Sequence, residues 1–128
     1  MKKIIVDLLG GDNPPEELLL GVIDVLDKND DFSYVLVGEK EKIIEVLNRK
    51  EKTLEKIEII DADDFVTDRT NPVIFVREDR TSSMAMALDF LKNNEQSYGL
   101  ISSGSTGCLI LGSCFKLGLL NNVKNPIL

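Results

Sequence analysis

The sequence of 128 residues has no histidine and no tryptophan, and only 5% of its residues are aromatic. Histidine is the commonest general base and the commonest metal ligand, so any chemistry here must use carboxylates, lysine, hydroxyls, a thiol or backbone dipoles. The two cysteines, Cys108 and Cys114, lie on one predicted helix at a spacing that points them apart. We therefore predict no disulfide, and no cofactor or metal is indicated.

Basic side chains and long apolar runs are also scarce. The chain has 15 Lys and Arg residues against 22 Asp and Glu residues, a net charge of −7. Nonspecific nucleic-acid binding needs a basic face that neutralises phosphates, so the composition argues against a nucleic-acid partner. No apolar run reaches the roughly 18–20 residues of a membrane-spanning helix. The run after Met1 reaches Asp7 too soon for a signal peptide. These features predict a cytoplasmic protein.

Short β-branched runs alternate with segments of helical spacing along the whole chain. The short runs predict strands at residues 3–9, 32–37 and 56–60 and from residue 98. The segments between them predict amphipathic helices, including a short one at residues 72–77. Strands that alternate with helices imply a parallel sheet covered on both faces. We therefore predict a single α/β domain over residues 1–128, with three layers and a mostly parallel sheet.

A polar, glycine-rich loop connects the last predicted strand to the last helix. Its sequence is Ser102-Ser103-Gly104-Ser105-Thr106-Gly107. Such a loop presents free backbone N–H groups, hydroxyls and the positive end of a helix dipole at one point, which suits phosphate. An ordinary strand-to-helix turn with a Ser or Thr N-cap is the alternative.

A second glycine-rich turn follows the first strand, with Gly10, Gly11 and Asp12 before a pair of prolines. The glycines suit close backbone approach to a ligand or a positive φ, and a plain turn is the alternative. Asp12 is a ligand group or, more simply, an N-cap, a role that Asn13 also suits. The helix after this turn is expected to end near Asn29-Asp30.

Three further features lie near the same sheet edge in the predicted topology. Asp7 sits within an apolar strand, where a buried carboxylate needs hydrogen bonds, so we expect it to organise the loop ends. Ser82 and Ser83 begin a helix and serve as caps or as ligand contacts. The acidic segment 61–64 follows the third strand and favours a solvated loop over a divalent cation site.

Four segments of the chain together resemble one family. Asp7-Leu8-Leu9-Gly10-Gly11-Asp12 looks like its Asp-Ala-Met-Gly-Gly-Asp motif, and Thr81-Ser82-Ser83-Met84 contains its Ser-Ser-Met helix start. The loop at residues 102–107 resembles its Ser-Ala-Gly-Asn-Thr-Gly loop, with Ser105 in place of Asn, and Asn125-Pro126-Ile127-Leu128 stands where it has Arg-Pro-Ala. The family is PlsX, the phosphate acyltransferase that makes acyl phosphate from acyl carrier protein thioester and inorganic phosphate for phospholipid synthesis.

The resemblance implies an amino-terminal part of a fold like that of isopropylmalate dehydrogenase and phosphotransacetylase, truncated here. It implies acyl carrier protein and inorganic phosphate as partners and a homo-oligomer, and peripheral membrane contact is compatible with it. It assigns no catalytic residue. The residues that we predict to bind substrate or phosphate are Gly10, Gly11, Asp12, Ser82, Ser83, Ser103, Gly104, Ser105, Thr106 and Gly107.

Three functions remain open from the sequence. The chain is an acyltransferase or its amino-terminal segment, a noncatalytic module that binds phosphate or an acyl ligand, or a fragment that needs a partner to complete its sheet. The last possibility rests on residues 126–128, which are typical of the start of another strand. Cys108 is expected to be helix filler rather than a nucleophile, because no histidine is present to activate it.

Overall fold

A computed structural model describes residues 1–28 and 30–126 of the chain. Within these residues, helices and strands alternate as predicted, and the expected short helix after residue 71 is confirmed. The strands are β1 (Lys2–Asp7), β2 (Phe32–Gly38), β3 (Ile57–Asp61) and β4 (Ser97–Ser102). The helices are α1 (Pro15–Leu26), α2 (Lys40–Arg49), α3 (Pro72–Glu78), α4 (Ser83–Asn93) and α5 (Thr106–Leu117).

The four strands form one parallel sheet in the order β3-β2-β1-β4. The chain moves outward from β1 through β2 to β3, and then returns to place β4 on the other side of β1. Strand β1 is therefore paired along both edges, with Ile5 opposite Val35 of β2 and Leu100 of β4. The predicted α/β fold with a mostly parallel sheet is confirmed.

Both faces of the sheet carry helices, because alternate residues of a strand point to opposite faces. On one face, Val6 and Leu36 pack with α1 and α2 in a buried cluster. On the other face, Ile5 and Val35 pack against α4 through Ala87. Helices α3 and α5 pack beside α4 around a third cluster that contains Phe75. The result is the predicted three-layer arrangement.

Several predicted element ends are wrong. Strand β1 stops at Asp7 rather than Leu9, although the Leu8 N–H still donates to the Val37 carbonyl at 3.0 Å. Neither Asp12 nor Asn13 caps α1, because its N-cap is Pro14, whose side chain has no acceptor. The fixed φ of the two prolines favours the first helical turn without a side-chain cap.

Two predictions concern residues that lie partly outside the described part of the chain: the end of α1 and a strand start at residues 126–128. Helix α1 ends at Leu26 rather than near Asn29-Asp30, and Asn29 lies outside the described residues. The predicted strand start at residues 126–128 also lies outside them, apart from Pro126, which has no regular structure. Among the helices of the described chain, none combines the length and apolar character that crossing a membrane requires.

Gly112 sets how closely α5 approaches α3 and α4. A Cβ atom added there would lie 2.8 Å from Leu88 Cδ1 and 2.9 Å from Phe75 Cε2. We expect Gly112→Val to lower the free energy of unfolding by about 1–3 kcal/mol, the usual cost of overpacking a core. Urea denaturation measures this cost. Gly21→Val is the matched control, since a Cβ at Gly21 meets nothing within 4 Å, and an equal loss in both variants would contradict the packing role of Gly112.

Candidate functional site

The strand order creates a crevice between the ends of β1 and β4. After β1 the chain enters α1, on one face of the sheet, and after β4 it enters α5, beside α4 on the other face. The two chain paths thus diverge where Asp7 pairs with Ser102 at the carboxyl ends of the strands. Ligands of parallel α/β sheets bind at this kind of topological switch point.

Asp7 lies at the floor of this crevice and is only 1% exposed. Its carboxylate accepts a hydrogen bond from the Leu9 N–H at 3.2 Å and one from the Ser102 hydroxyl at 2.9 Å. The Ser102 oxygen in turn accepts from the Gly104 N–H at 3.2 Å. Asp7 therefore ties the loop after β1 to the loop after β4, which confirms the organising role predicted for it.

Burial raises the pKa of the Asp7 carboxyl above its usual value of 3.8. The neighbouring Ser83 hydroxyl and the hydrogen bonds from the Ser102 hydroxyl and the Leu9 N–H lower this pKa, but the effect of burial is larger. The Ser83 hydroxyl faces Asp7 without forming a hydrogen bond of ordinary geometry within the described part of the chain.

The two glycines after β1 bring that loop against its neighbours. Gly10 has a φ of +83°, and a Cβ on it would lie 2.8 Å from the Val66 carbonyl oxygen. A Cβ on Gly11 would lie 2.2 Å from Ser103 Oγ. Glycine therefore permits both the left-handed backbone and the close approach of the two loops.

Helix α5 begins immediately beside these loops. Its N-cap is Ser105, which is buried and whose hydroxyl accepts from the Cys108 N–H at 3.3 Å. The N–H groups of Thr106 and Gly107, in the first turn, have no intrahelical acceptor, and no hydrogen bond from them is formed among residues 1–28 and 30–126. With the helix dipole, they give this point a positive potential that suits an anion.

A cavity of about 1080 Å³ opens above this crevice. It brings together six of the ten predicted site residues, namely Gly10, Gly11, Asp12, Ser103, Gly104 and Thr106. The other four lie outside its lining. Ser82 is the buried N-cap of α4, accepting from the Ala85 N–H at 3.2 Å, and Ser83 is buried beneath the crevice. Ser105 and Gly107 belong to the start of α5 and do not line the cavity.

Some cavity-lining residues were not singled out by the sequence reasoning. They are Glu16 of α1, Glu39, Lys42, Glu45 and Arg49 on or next to α2, and Phe65, Thr67 and Asp68 in the long loop after β3. The spacing of the α2 residues indicates one side of a helix, but the sequence does not reveal which side faces a ligand. The sequence of the irregular loop at residues 63–71 does not indicate that this loop borders the cavity.

The charged side chains around the cavity are mainly acidic, so they do not by themselves attract an anion. Its two basic residues are paired: Lys42 lies 3.2 Å from Glu39, and Arg49 contacts Glu16. Any positive potential for phosphate must therefore come from the backbone N–H groups at the start of α5.

The acidic segment after β3 has structural partners. Asp61 accepts a hydrogen bond from the Lys40 N–H at 3.0 Å, at the first turn of α2. Asp64 accepts from the Phe65 N–H at 3.0 Å and pairs with Ser82 in an isolated bridge. Across the described residues, no three His, Cys, Asp or Glu side chains are grouped so that they could hold a metal ion.

Comparison with known proteins agrees with the arrangement of these motifs. Residues 2–128 match the family described as "Fatty acid synthesis protein". The phosphate acyltransferase of Clostridium tetani is 34% identical over 126 residues, which cover 98% of this chain and 37% of that protein. The phosphate acyltransferase of Ehrlichia canis is 36% identical over 127 residues, 96% of this chain and 37% of that protein.

The matched region covers nearly all of this chain but little more than a third of each relative. The phosphate acyltransferase of Lactobacillus gasseri is 32% identical over 128 residues, which are 100% of this chain but 38% of that protein. The chain thus spans little more than a third of the length of these relatives. With its glycine-rich turn, its Ser-Ser-Met helix start and its Ser-Gly loop gathered around one sheet edge, the chain belongs to the PlsX-type fatty acid synthesis protein family.

Proposed function

We propose that this chain is the phosphate-holding amino-terminal part of a phosphate acyltransferase. The observation that carries the proposal is the junction of three backbone elements at the switch point. The turn at Gly10-Gly11, the loop at Ser103-Gly104 and the first turn of α5 all border one cavity or adjoin it. Family membership and relatives that are named phosphate acyltransferases support the same assignment.

The proposed reaction follows from the chemistry of an anion held at this point. An oxygen of inorganic phosphate attacks the carbonyl carbon of an acyl thioester carried by acyl carrier protein. A carbon–oxygen bond forms, the carbon–sulfur bond breaks, and the thiol leaves after taking up a proton. The N–H groups of Thr106 and Gly107 would hold the phosphate, and fixed donors of this kind stabilise the negative charge that develops during acyl transfer. We expect this chemistry to take place in the cytoplasm.

We further propose that turnover requires polypeptide beyond this chain, because the chain spans little more than a third of its relatives. The exposed surface near β4 supports this view. Among the described residues, β4 is paired with β1 alone, and its Tyr98 and Ile101 are exposed, as are Phe115 and Leu120 in and after α5. An edge strand with exposed apolar side chains is open to pairing with further polypeptide. A second copy of the chain or further polypeptide of the family type would cover them.

Gly104→Val tests the anion site. A Cβ on Gly104 would lie 2.9 Å from Met84 Cε and 3.4 Å from Ser102 Oγ, so valine would displace the loop that borders the cavity. We expect phosphate affinity, measured by calorimetry, to fall at least about tenfold, as when one or two hydrogen bonds of about 1 kcal/mol are lost. Gly99→Val is the matched control, because a Cβ there meets nothing within 4 Å.

Circular dichroism checks that both variants fold, and Thr106→Pro gives a second test, because proline removes the proposed N–H donor and suits the first position of a helix. Unchanged phosphate affinity in both folded site variants would overturn the anion site. The enzymatic step is tested separately, by measuring acyl phosphate formed from acyl carrier protein thioester at saturating phosphate. Phosphate binding without turnover would support the second candidate function, a binding module, over an enzyme complete in this chain.

A further inference from the structure

The buried carboxylate of Asp7 has no cation beside it. The groups that donate hydrogen bonds to it, the Leu9 N–H and the Ser102 hydroxyl, are both neutral. None of the ion pairs formed within residues 1–28 and 30–126 involves Asp7. A buried carboxylate is ordinarily paired with a cation or neutralised by a proton. Hydrogen bonds from neutral groups are therefore the only interactions that stabilise the charge of Asp7 in the described part of the chain.

None of the titratable side chains around Asp7 is among the causes of its raised pKa, which are burial and its uncharged neighbours. Asp7 and Ile5 share the face of β1 on which α4 packs. The titratable groups on this strand and on the elements next to it are Lys2 and Lys3 of β1, Tyr34 of β2, Tyr98 of β4, Asp89 and Lys92 of α4, Cys108 and Lys116 of α5, and Asp64 of the loop after β3.

Asp7 lies close to the loop that leads to the proposed anion position. A Cβ on Gly104 would lie 3.9 Å from Asp7 Oδ2. The Gly104 Cα, one bond of about 1.5 Å away, is thus within about 6 Å of the carboxylate. Thr106 is two residues further, and successive Cα atoms are about 3.8 Å apart. The Thr106 Cα therefore lies at most about 13 Å from Asp7 Oδ2.

A charged Asp7 would repel an anion held by the first turn of α5. Two unit charges roughly 13 Å apart, at an effective dielectric constant of about 20, repel each other enough to lower a binding constant about tenfold. A dianion has twice the charge, so its binding constant falls by the square of that factor. The buried charge of Asp7 thus opposes a dianion much more strongly than a monoanion.

The Ser83 hydroxyl is placed to accept a hydrogen bond from a protonated Asp7. Ser83 is 1% exposed, and its Oγ faces Asp7 but has no hydrogen-bond partner among the described residues. A protonated carboxyl has an O–H donor that a carboxylate lacks, and a hydroxyl oxygen accepts hydrogen bonds. The remaining lone pairs of the carboxyl can still accept from Ser102 and the Leu9 N–H. Protonation of Asp7 would therefore give the Ser83 oxygen a partner.

We propose that Asp7 determines the charge of the anion that the start of α5 holds. While the Asp7 carboxylate is charged, the site selects a monoanion. A dianion binds together with one proton, which an oxygen of the Asp7 carboxylate takes up from solvent, and no other bond forms or breaks. The inference rests on the proposed function, because it takes the anion site at α5 as given. It adds that this site discriminates between ligands by their charge.

Sulfate and methyl sulfate test this selection, because one is a dianion, the other is a monoanion, and neither titrates near neutral pH. Calorimetry would measure both affinities at neutral pH for the unaltered chain and for Asp7→Asn, whose amide has the shape of a neutral carboxyl. We expect Asp7→Asn to raise sulfate affinity about tenfold more than methyl sulfate affinity. Asp24→Asn is the matched control, because Asp24 is exposed on α1 and does not border the cavity.

The uptake of a proton can be measured on the unaltered chain. The heat of sulfate binding in buffers of different ionisation enthalpy gives the number of protons taken up per sulfate. This number should reach its maximum, at most one, between the pKa of Asp7 in the free chain and its higher pKa with sulfate bound. We expect a smaller uptake with methyl sulfate and none from this group in Asp7→Asn.

A merely structural role for Asp7 would change both affinities by the same factor, and that result would overturn the inference. Proton uptake that persists undiminished in Asp7→Asn would also overturn it. The proton would then belong to the carboxylates that border the cavity, beside its basic residues Lys42 and Arg49. These carboxylates are Asp12, Glu16, Glu39, Glu45 and Asp68.

If Asp7→Asn fails to fold, Ser83→Ala takes its place, because it removes the proposed acceptor of the Asp7 proton. Reduced proton uptake in Ser83→Ala would support the inference, and unchanged uptake would overturn it. Sulfate binding to the unaltered chain without any proton uptake between about pH 4 and 7 would overturn the role of Asp7 and leave the anion site in place. Absence of both phosphate and sulfate binding would instead overturn the proposed function itself.

Discussion

Gly10→Val is expected to lower the free energy of unfolding by about 3–5 kcal/mol, one of the two largest effects that the structure predicts. Two costs combine at this position. The φ of +83° is strained for any side chain and most of all for a β-branched one. The new Cβ would also lie 2.8 Å from the Val66 carbonyl oxygen, which is backbone and cannot rotate away.

Urea denaturation of the variant and the unaltered chain measures this effect, and Gly10→Ala separates its two parts. Alanine brings the same Cβ clash but a smaller energetic cost at a positive φ. We therefore expect the free energy of unfolding of Gly10→Ala to lie between those of Gly10→Val and the unaltered chain. Gly99→Val again serves as the control for the bare change of glycine to valine, because that position is open. A loss in Gly10→Val no greater than in Gly99→Val would show that the loop after β1 adapts freely, contrary to the structure.

Asp7→Ala is expected to cost about 2–4 kcal/mol of stability, because it leaves buried donors without an acceptor. The Ser102 hydroxyl and the Leu9 N–H both donate to this carboxylate, and each unsatisfied buried donor costs about 1–3 kcal/mol. Removing a buried charge offsets part of the cost. We also expect phosphate affinity to fall, since the Gly104 N–H is held through Ser102.

Asp7→Asn removes the charge of the Asp7 carboxylate. The raised pKa of this carboxyl fixes the sign of the expected change of stability with pH. Burial raises the pKa of Asp7 in the folded protein above 3.8, so the folded state holds this proton more tightly than the unfolded chain does. Its contribution to stability is full below pH 3.8 and is lost as pH rises through the folded pKa. Asparagine does not titrate, so this loss is absent from the variant.

Denaturation of both proteins between about pH 3.5 and 7 tests the sign. The stability of Asp7→Asn relative to the unaltered chain should rise with pH across this window, while other carboxylates contribute equally to both and cancel. A relative stability that falls with pH would mean that Asp7 has a lowered pKa, and the hydrogen bonds would then outweigh burial.

The sequence alone determines most of the secondary structure here. Short β-branched runs and helical spacing recur along the chain, so β2, β3 and α3 begin and end within one residue of their predicted bounds. Asp7 was also identifiable, because a carboxylate in an apolar strand must find hydrogen-bond donors. The helix-cap prediction failed at Asp12, where Pro14-Pro15 begin α1 without any side-chain cap.

The tertiary structure decides which of these local signals form the site. The pairing of β1 with β4 joins Asp7 to Ser102, 95 residues further along the chain, and no local pattern specifies that neighbour. The same pairing positions Gly11 against Ser103, and it leaves Ser82 and Ser105 as buried helix caps outside the cavity. A local sequence pattern predicts the secondary structure of its own segment, because that structure depends on the backbone and side chains of the same segment. Strand order and the cavity above the crevice depend instead on how all the apolar faces are buried together.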